Sequence, residues 1–204
     1  MKPIIVMMAI FSFTLPAFAG SLTADFTFEK RPPFVGLLYL NDKGETQSMN
    51  IDQKDKMFLQ KVFVNQKSTE VVFENSDSIN HNIFANSPKS GVKFDIGLLP
   101  PGANSKIDTA GWAEDAVVRI GCKIHPKMKT YVASISSSKQ HIIEFEKKKK
   151  EYNVVLDALE GTQPVVLWMP GYDRITLEIN PGETKEVELI KKKKVKGKLT
   201  LSYQ

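Results

Sequence analysis

Seven consecutive residues carry most of the chemistry open to this sequence: Cys122-Lys123-Ile124-His125-Pro126-Lys127-Met128. A thiol, an imidazole and a thioether stand three residues apart, directly after the strand-like run Ala116-Val117-Val118-Arg119-Ile120. Cys122 is the only cysteine in 204 residues, so no internal disulfide claims it. Two readings are open for such a thiol. It packs as a small, inert hydrophobe, or a metal ion holds the sulfur.

The neighbouring donors favour the metal. Thiolate and thioether sulfur suit Cu(I), and imidazole serves both oxidation states of copper. Of the three histidines, His81 lies just past the strand-like segment 69–74, in Asn75-Ser76-Asp77-Ser78-Ile79-Asn80-His81. Strand ends distant in sequence converge at one pole of a β-sandwich, so His81 can join Cys122, His125 and Met128. Two imidazoles and a thiolate in a plane, with a long axial thioether, make the blue-copper arrangement. Each residue also has a plainer role. His81 can cap a turn, Met128 can fill core, and His125-Pro126 can be a turn signal. The four together, on one short loop and one opposing strand end, favour a single type 1 copper ion per chain. Pro126 stiffens the loop by fixing its own backbone.

The elements that must position these residues read as strands. Candidates are 25–29, 35–40, 62–64, 69–74, 82–85, 105–108, 116–120 and 131–135, then 142–145, 152–157, 165–169, 175–179, 184–190 and 198–201. Several alternate apolar and polar residues, as in Ile175-Thr176-Leu177-Glu178-Ile179. Turn signals such as Pro100-Pro101-Gly102 and Asn180-Pro181-Gly182 separate them. The one helical expectation is a turn or two over 53–59, with Met57 and Phe58 facing inward. The fold class is all-β: a Greek-key β-sandwich with a small additional C-terminal β-module.

Residues 1–19 are expected to be a secretory signal. Lys2 precedes a short apolar run, and Ala17-Phe18-Ala19 offers small residues for cleavage. The run is too short to cross a bilayer, which takes about 20 residues. Export places the mature protein in the periplasm, with no transmembrane segment. The expected division is a copper domain over 20–141 and a small module over 142–204, packed on it.

Composition supports a globular protein, with 42% hydrophobic and 25% charged residues. The net charge of +5 points to acidic partners. Two lysine runs, 147–150 and 191–194, read first as solvated strand edges or hairpin tips. Otherwise they are a docking patch for an acidic partner or an anionic membrane surface. Nucleic acid is not an expected partner, because no aromatic residues interleave with these runs. Trp112, Trp168, Tyr131 and Phe94 read as packing residues, and His141 as a surface histidine.

The loop spacing at 122, 125 and 128 resembles that of the cupredoxins of the plastocyanin and amicyanin kind. Phe73-Glu74-Asn75-Ser76-Asp77, followed by His81-Asn82-Ile83, is similar to their first-histidine motif. The resemblance is closest to exported bacterial plastocyanin-like proteins often called methylamine utilisation proteins, a label that implies no physiology here. The features shared with them are Phe94-Asp95-Ile96-Gly97, Gly121-Cys122-Lys123-Ile124-His125, Met128 and Tyr131-Val132. It covers about residues 50–135, with 25–40 expected to supply the first strands of the sandwich. It implies that Asn82 braces the ligand loop, and that electrons leave through His125.

Three functions follow as alternatives. The first is a single-electron carrier between periplasmic redox proteins. The second is a copper-binding or copper-handling protein. The third is a structural β-protein with a vestigial site. An enzyme is disfavoured: only His141 remains once the four-residue set is filled, too little for a second copper centre. A Cys/His hydrolase lacks a third group to orient the imidazole.

Overall fold

Residues 35–40 read Val-Gly-Leu-Leu-Tyr-Leu, apolar toward both faces of an extended strand. Such a strand belongs between two layers, and the fold is organised around it. A computed structural model describes residues 19–204. The expected signal segment lies outside the described residues except for Ala19.

Seventeen strands and one 3-10 turn (Pro88–Ser90) make up the regular structure of the described residues. The first nine are β1 (Gly20–Phe28), β2 (Val35–Leu40), β3 (Gln53–Lys54), β4 (Met57–Phe58), β5 (Val62–Gln66), β6 (Glu70–Glu74), β7 (His81–Ser87), β8 (Val92–Leu99) and β9 (Asn104–Asp108). The others are β10 (Ala116–Cys122), β11 (Lys129–Ile135), β12 (Gln140–Glu144), β13 (Glu151–Leu159), β14 (Gln163–Trp168), β15 (Ile175–Ile179), β16 (Thr184–Lys191) and β17 (Lys194–Tyr203). They form an outer sheet β13-β1-β17-β16, an inner sheet β12-β2-β14-β15, a five-stranded sheet β5-β11-β10-β7-β8, and the pairs β6-β9 and β3-β4.

Alternation decides how the layers stack. Leu38 and Leu40 of β2, with Val165 and Leu167 of β14, face Phe26, Leu199 and Leu201 of the outer sheet. The intervening Val35, Leu37, Tyr39 and Val166 face Val62, Val64, Ala133 and Ile135 of the five-stranded sheet. That sheet turns its other side, with Val118, Ile120 and Val132, onto Val71 and Phe73 of β6. Burying each of these large side chains contributes about 1.5–3 kcal/mol relative to exposure. Between β5 and β10 the chain weaves back and forth between the five-stranded sheet and the β6-β9 pair, closing the expected sandwich around one core.

Two expectations change. Residues 25–40 do not supply the first strands of the sandwich that carries Cys122. β1 pairs with β13 and β17, and β2 pairs with β12 and β14. The division at 141/142 therefore does not follow the strand pairing, since the C-terminal layers are completed by the N-terminal strands. The physical reason is that β2 needs apolar cover on both sides. The second correction is the expected helix at 53–59, which is the hairpin β3-β4. Phe58 is buried there, and Met57 is 65% exposed rather than inward.

His141 is exposed on β12, an edge strand of the inner sheet. Trp112 is buried in the sandwich core. Trp168 packs edge-on against Tyr131, with ring centroids 4.8 Å apart, and joins the inner sheet to the five-stranded one. No helix among the described residues is long and apolar enough to cross a membrane.

Candidate metal centre

Strand order brings the site together. β10 lies between β11 and β7 in the five-stranded sheet. Cys122, the last residue of β10, pairs with Ile83 of β7, and His81 opens β7 opposite Leu99. The loop 122–128 joins β10 to β11, where Gly121 pairs with Lys129. It is closed by its own backbone. The Met128 N–H donates to the His125 carbonyl at 2.9 Å, and the Cys122 N–H to the Met128 carbonyl at 3.3 Å.

The side chains of His81, Cys122 and His125 converge. The Cys122 Sγ lies 3.8 Å from Nδ1 of His81 and 3.6 Å from Nδ1 of His125. The two Nδ1 atoms are 3.2 Å apart. His81 is fully buried and Cys122 nearly so, while His125 is partly exposed.

The proton on His81 is placed by its other nitrogen. Nε2 lies 3.0 Å from Oδ2 of Asp77. A carboxylate only accepts, so Nε2 carries the hydrogen and Nδ1 presents a bare lone pair. Asp77 is itself held. It accepts the N–H of Lys56 on the β3-β4 hairpin at 2.8 Å and that of Ser78 at 2.7 Å. These bonds, the Lys56 N–H first and the His81 N–H with them, hold its carboxyl below the usual carboxylate range. Partial burial, with His81 and Lys56 nearby, pushes the His125 imidazole down from its ordinary value, which favours the neutral ring.

Two imidazole lone pairs and a thiol sulfur thus point at one another across a small buried space. Such a set of donors can share a proton or hold a cation between them. A point equidistant from the three atoms lies about 2.1 Å from each, within the about 2.0–2.3 Å that nitrogen and thiolate donors make with a first-row ion such as zinc. Two imidazoles and a thiolate in a trigonal set, beside a methionine, select copper over a tetrahedral zinc site. The residues fit one type 1 copper ion.

Asn82 braces the loop as the resemblance implies, but through its backbone. Its N–H points at the Cys122 Sγ at 3.3 Å, and its carbonyl accepts the Lys123 N–H at 3.0 Å. Its side chain instead binds Asp95 at 3.1 Å, and Asp95 also pairs with Lys123. Asn75, 2% exposed, braces the His81 loop. Its Nδ2 donates to the carbonyls of Ile79 and Leu99, and its Oδ1 accepts the Asp77 N–H. Met128 is 3% exposed and shares the apolar core with Cys122. The roles of Asp77 and Asn75 were missed in the sequence. Both residues stand in the motif that carries the resemblance, but nothing in their spacing assigns them to His81.

No family model and no curated protein matches the chain. Among solved structures it is similar to a novel purple cupredoxin from Nitrosopumilus maritimus, at 22% identity over 38% of this chain and 81% of that one, with a TM-score of 0.33. It is also similar to an amicyanin variant in its oxidised form, at 12% identity over 53% and 97% of the two chains, with a TM-score of 0.38. A third is a copper-containing nitrite reductase from Thermus scotoductus SA-01, at 19% identity over 44% of this chain and 23% of that one, with a TM-score of 0.36.

Proposed function

We propose that this protein is a periplasmic single-electron carrier in which His81, Cys122, His125 and Met128 would hold one copper ion. Copper bound there supplies exchange of one electron between Cu(II) and Cu(I). The observation that carries the reading is the convergence of two Nδ1 lone pairs and one sulfur in a buried frame.

The rest of the function falls to the protein. Strand ends and hydrogen bonds hold the donors so that neither oxidation state requires them to move far. The Asn82 N–H tempers the charge on the thiolate sulfur, and Asp77 fixes the ring of His81. His125, the ligand with partial exposure, offers the route for the electron to a partner. Exposed Lys56 lies near it and exposed Lys127 follows it on the same loop, which favours an acidic redox protein.

A potentiometric titration of the copper-loaded protein tests this. A carrier gives one reversible one-electron wave with the metal retained in both states. Loss of copper on oxidation, or a colourless complex with Cu(I) alone, would assign the site to copper handling.

A further inference from the structure

The two lysine runs are far apart in sequence and adjacent in space. Run 147–150 leads into β13, and run 191–194 forms the turn between β16 and β17. Between the strands they border lies β1. The Phe28 N–H donates to the Lys150 carbonyl and the Glu29 N–H to the Lys196 carbonyl, each at 2.9 Å. The flanking strands are about 10 Å apart, two strand spacings. Eight lysines therefore crowd one edge of the outer sheet, joined by Lys30, Arg31 and Lys196. The exposed carboxylates at this edge are Glu29, Glu146, Glu151 and Asp173.

Three observations argue against a merely solvated tip. No ion pair among the described residues involves any of the eight lysines; the pairs formed lie elsewhere. Lys149 lies over the ring of Tyr152 and Lys191 over that of Tyr172, but no carboxylate neutralises any of the eight. The hairpin turn is also strained: Lys192 and Lys193 sit at φ 51° and 61°, positions that Asn-Gly fills at little cost. Finally, this edge lies at the same end of the molecule as the metal centre. Lys129, paired with Gly121 beside Cys122, reaches over the ring of Phe34, which leads into β2. Lys61 beside β5 pairs with Glu144 of the inner sheet, and the chain continues from Glu144 into run 147–150. At about 10 Å per layer, the runs lie about 20 Å from the metal-bearing sheet.

Lysines are point charges without the fork that reads a single phosphate or carboxylate. Consecutive lysines on a loop and a tight turn fan outward rather than line a groove. A broad, laterally mobile plane of anionic headgroups meets such an array at once, and clusters of four to eight basic residues recognise it in this way. Val195, 39% exposed beside the turn, adds apolar contact at the same edge. We propose that this edge of the outer sheet binds the surface of an anionic phospholipid membrane and holds the His125 end toward that surface. The inference does not depend on the metal reading.

Residues 20–204, which contain every strand described, are sedimented with phosphatidylcholine vesicles with and without about one quarter phosphatidylglycerol, at low salt and at about 0.5 M NaCl. Binding is expected only with phosphatidylglycerol, and is expected to vanish at high salt. Replacing Lys192, Lys193 and Lys194 by Gln is expected to weaken it by about a hundredfold, at about tenfold or less per lysine. Replacing Lys147, Lys148 and Lys150 by Gln is expected to act similarly, so misfolding of one variant leaves the other to decide. Equal binding to both vesicles, or undiminished binding by a folded variant, overturns the proposal. So does binding to polyglutamate without binding to phosphatidylglycerol, which would assign the edge to an acidic protein.

Discussion

Asp77 and His81 are joined by a 3.0 Å contact between carboxylate Oδ2 and imidazole Nε2, both almost entirely shielded from water. That contact fixes which nitrogen of His81 is free. Asp77→Asn is expected to weaken copper binding about 10–100-fold, the usual cost of losing such a partner. Competition against a chelator of known affinity measures this. Unchanged affinity would mean that the ring is oriented by packing alone.

Met128 lies in the same apolar core as Cys122, and its carbonyl accepts the Cys122 N–H. If its sulfur is the axial donor, Met128→Leu should keep the intense thiolate-to-copper band and raise the reduction potential. A weak donor that stabilises Cu(II) more than Cu(I) has been removed. Loss of the band would instead make Met128 part of the frame that holds Cys122.

Gly197 tests the pairing of β1 with the C-terminal strands. It faces Phe28 across β1 and β17, and an added Cβ would sit 2.3 Å from the Thr27 carbonyl oxygen and 3.0 Å from the Phe28 Cα. Both are backbone atoms with nowhere to go. Gly197→Ala is expected to cost about 1–3 kcal/mol or more, the range for overpacking, read as a drop in the urea midpoint. No change would place β1 elsewhere.

Glu114 supplies a pH dependence remote from the metal. Lys43 reaches its Oε1 at 2.5 Å and Lys67 its Oε2 at 2.7 Å. They pull its carboxyl from the ordinary 4.5 down to about 2. A depressed carboxylate stabilises the fold above its unfolded value and loses that contribution as pH falls through its folded value. The loss therefore falls between about pH 4.5 and 2, and it is small because the pair is exposed. Urea midpoints across that interval should fall less steeply for Glu114→Gln than for the wild type.

The sequence made the β-character plain, because alternation and β-branched residues act locally. It could not say what pairs with β2: a strand apolar on both faces announces a middle layer but not its neighbours. β8 escaped the strand reading because Asp95 and Gly97, the latter at φ 71°, interrupt the alternation, and the register shifts opposite them. The hairpin at 53–58 escaped because Asp55 and Lys56 take positive φ without a glycine to signal the turn. At the site, Cys122 and His125 were legible because one short loop carries both. His81 was legible from its strand end, and the structure places it with Cys122 and His125. Asp77 was not legible as its partner, because a contact four residues apart in an irregular loop leaves no periodic trace.

Stoichiometric addition of Cu(II) to the protein, followed by visible spectroscopy, tests the central claim most directly. One equivalent is expected to raise an intense thiolate-to-copper band that bleaches and returns with reductant and oxidant, and that is absent from Cys122→Ser and from His81→Ala. An equal band in Cys122→Ser, or a wild-type protein that stays colourless while its thiol oxidises, would contradict the account.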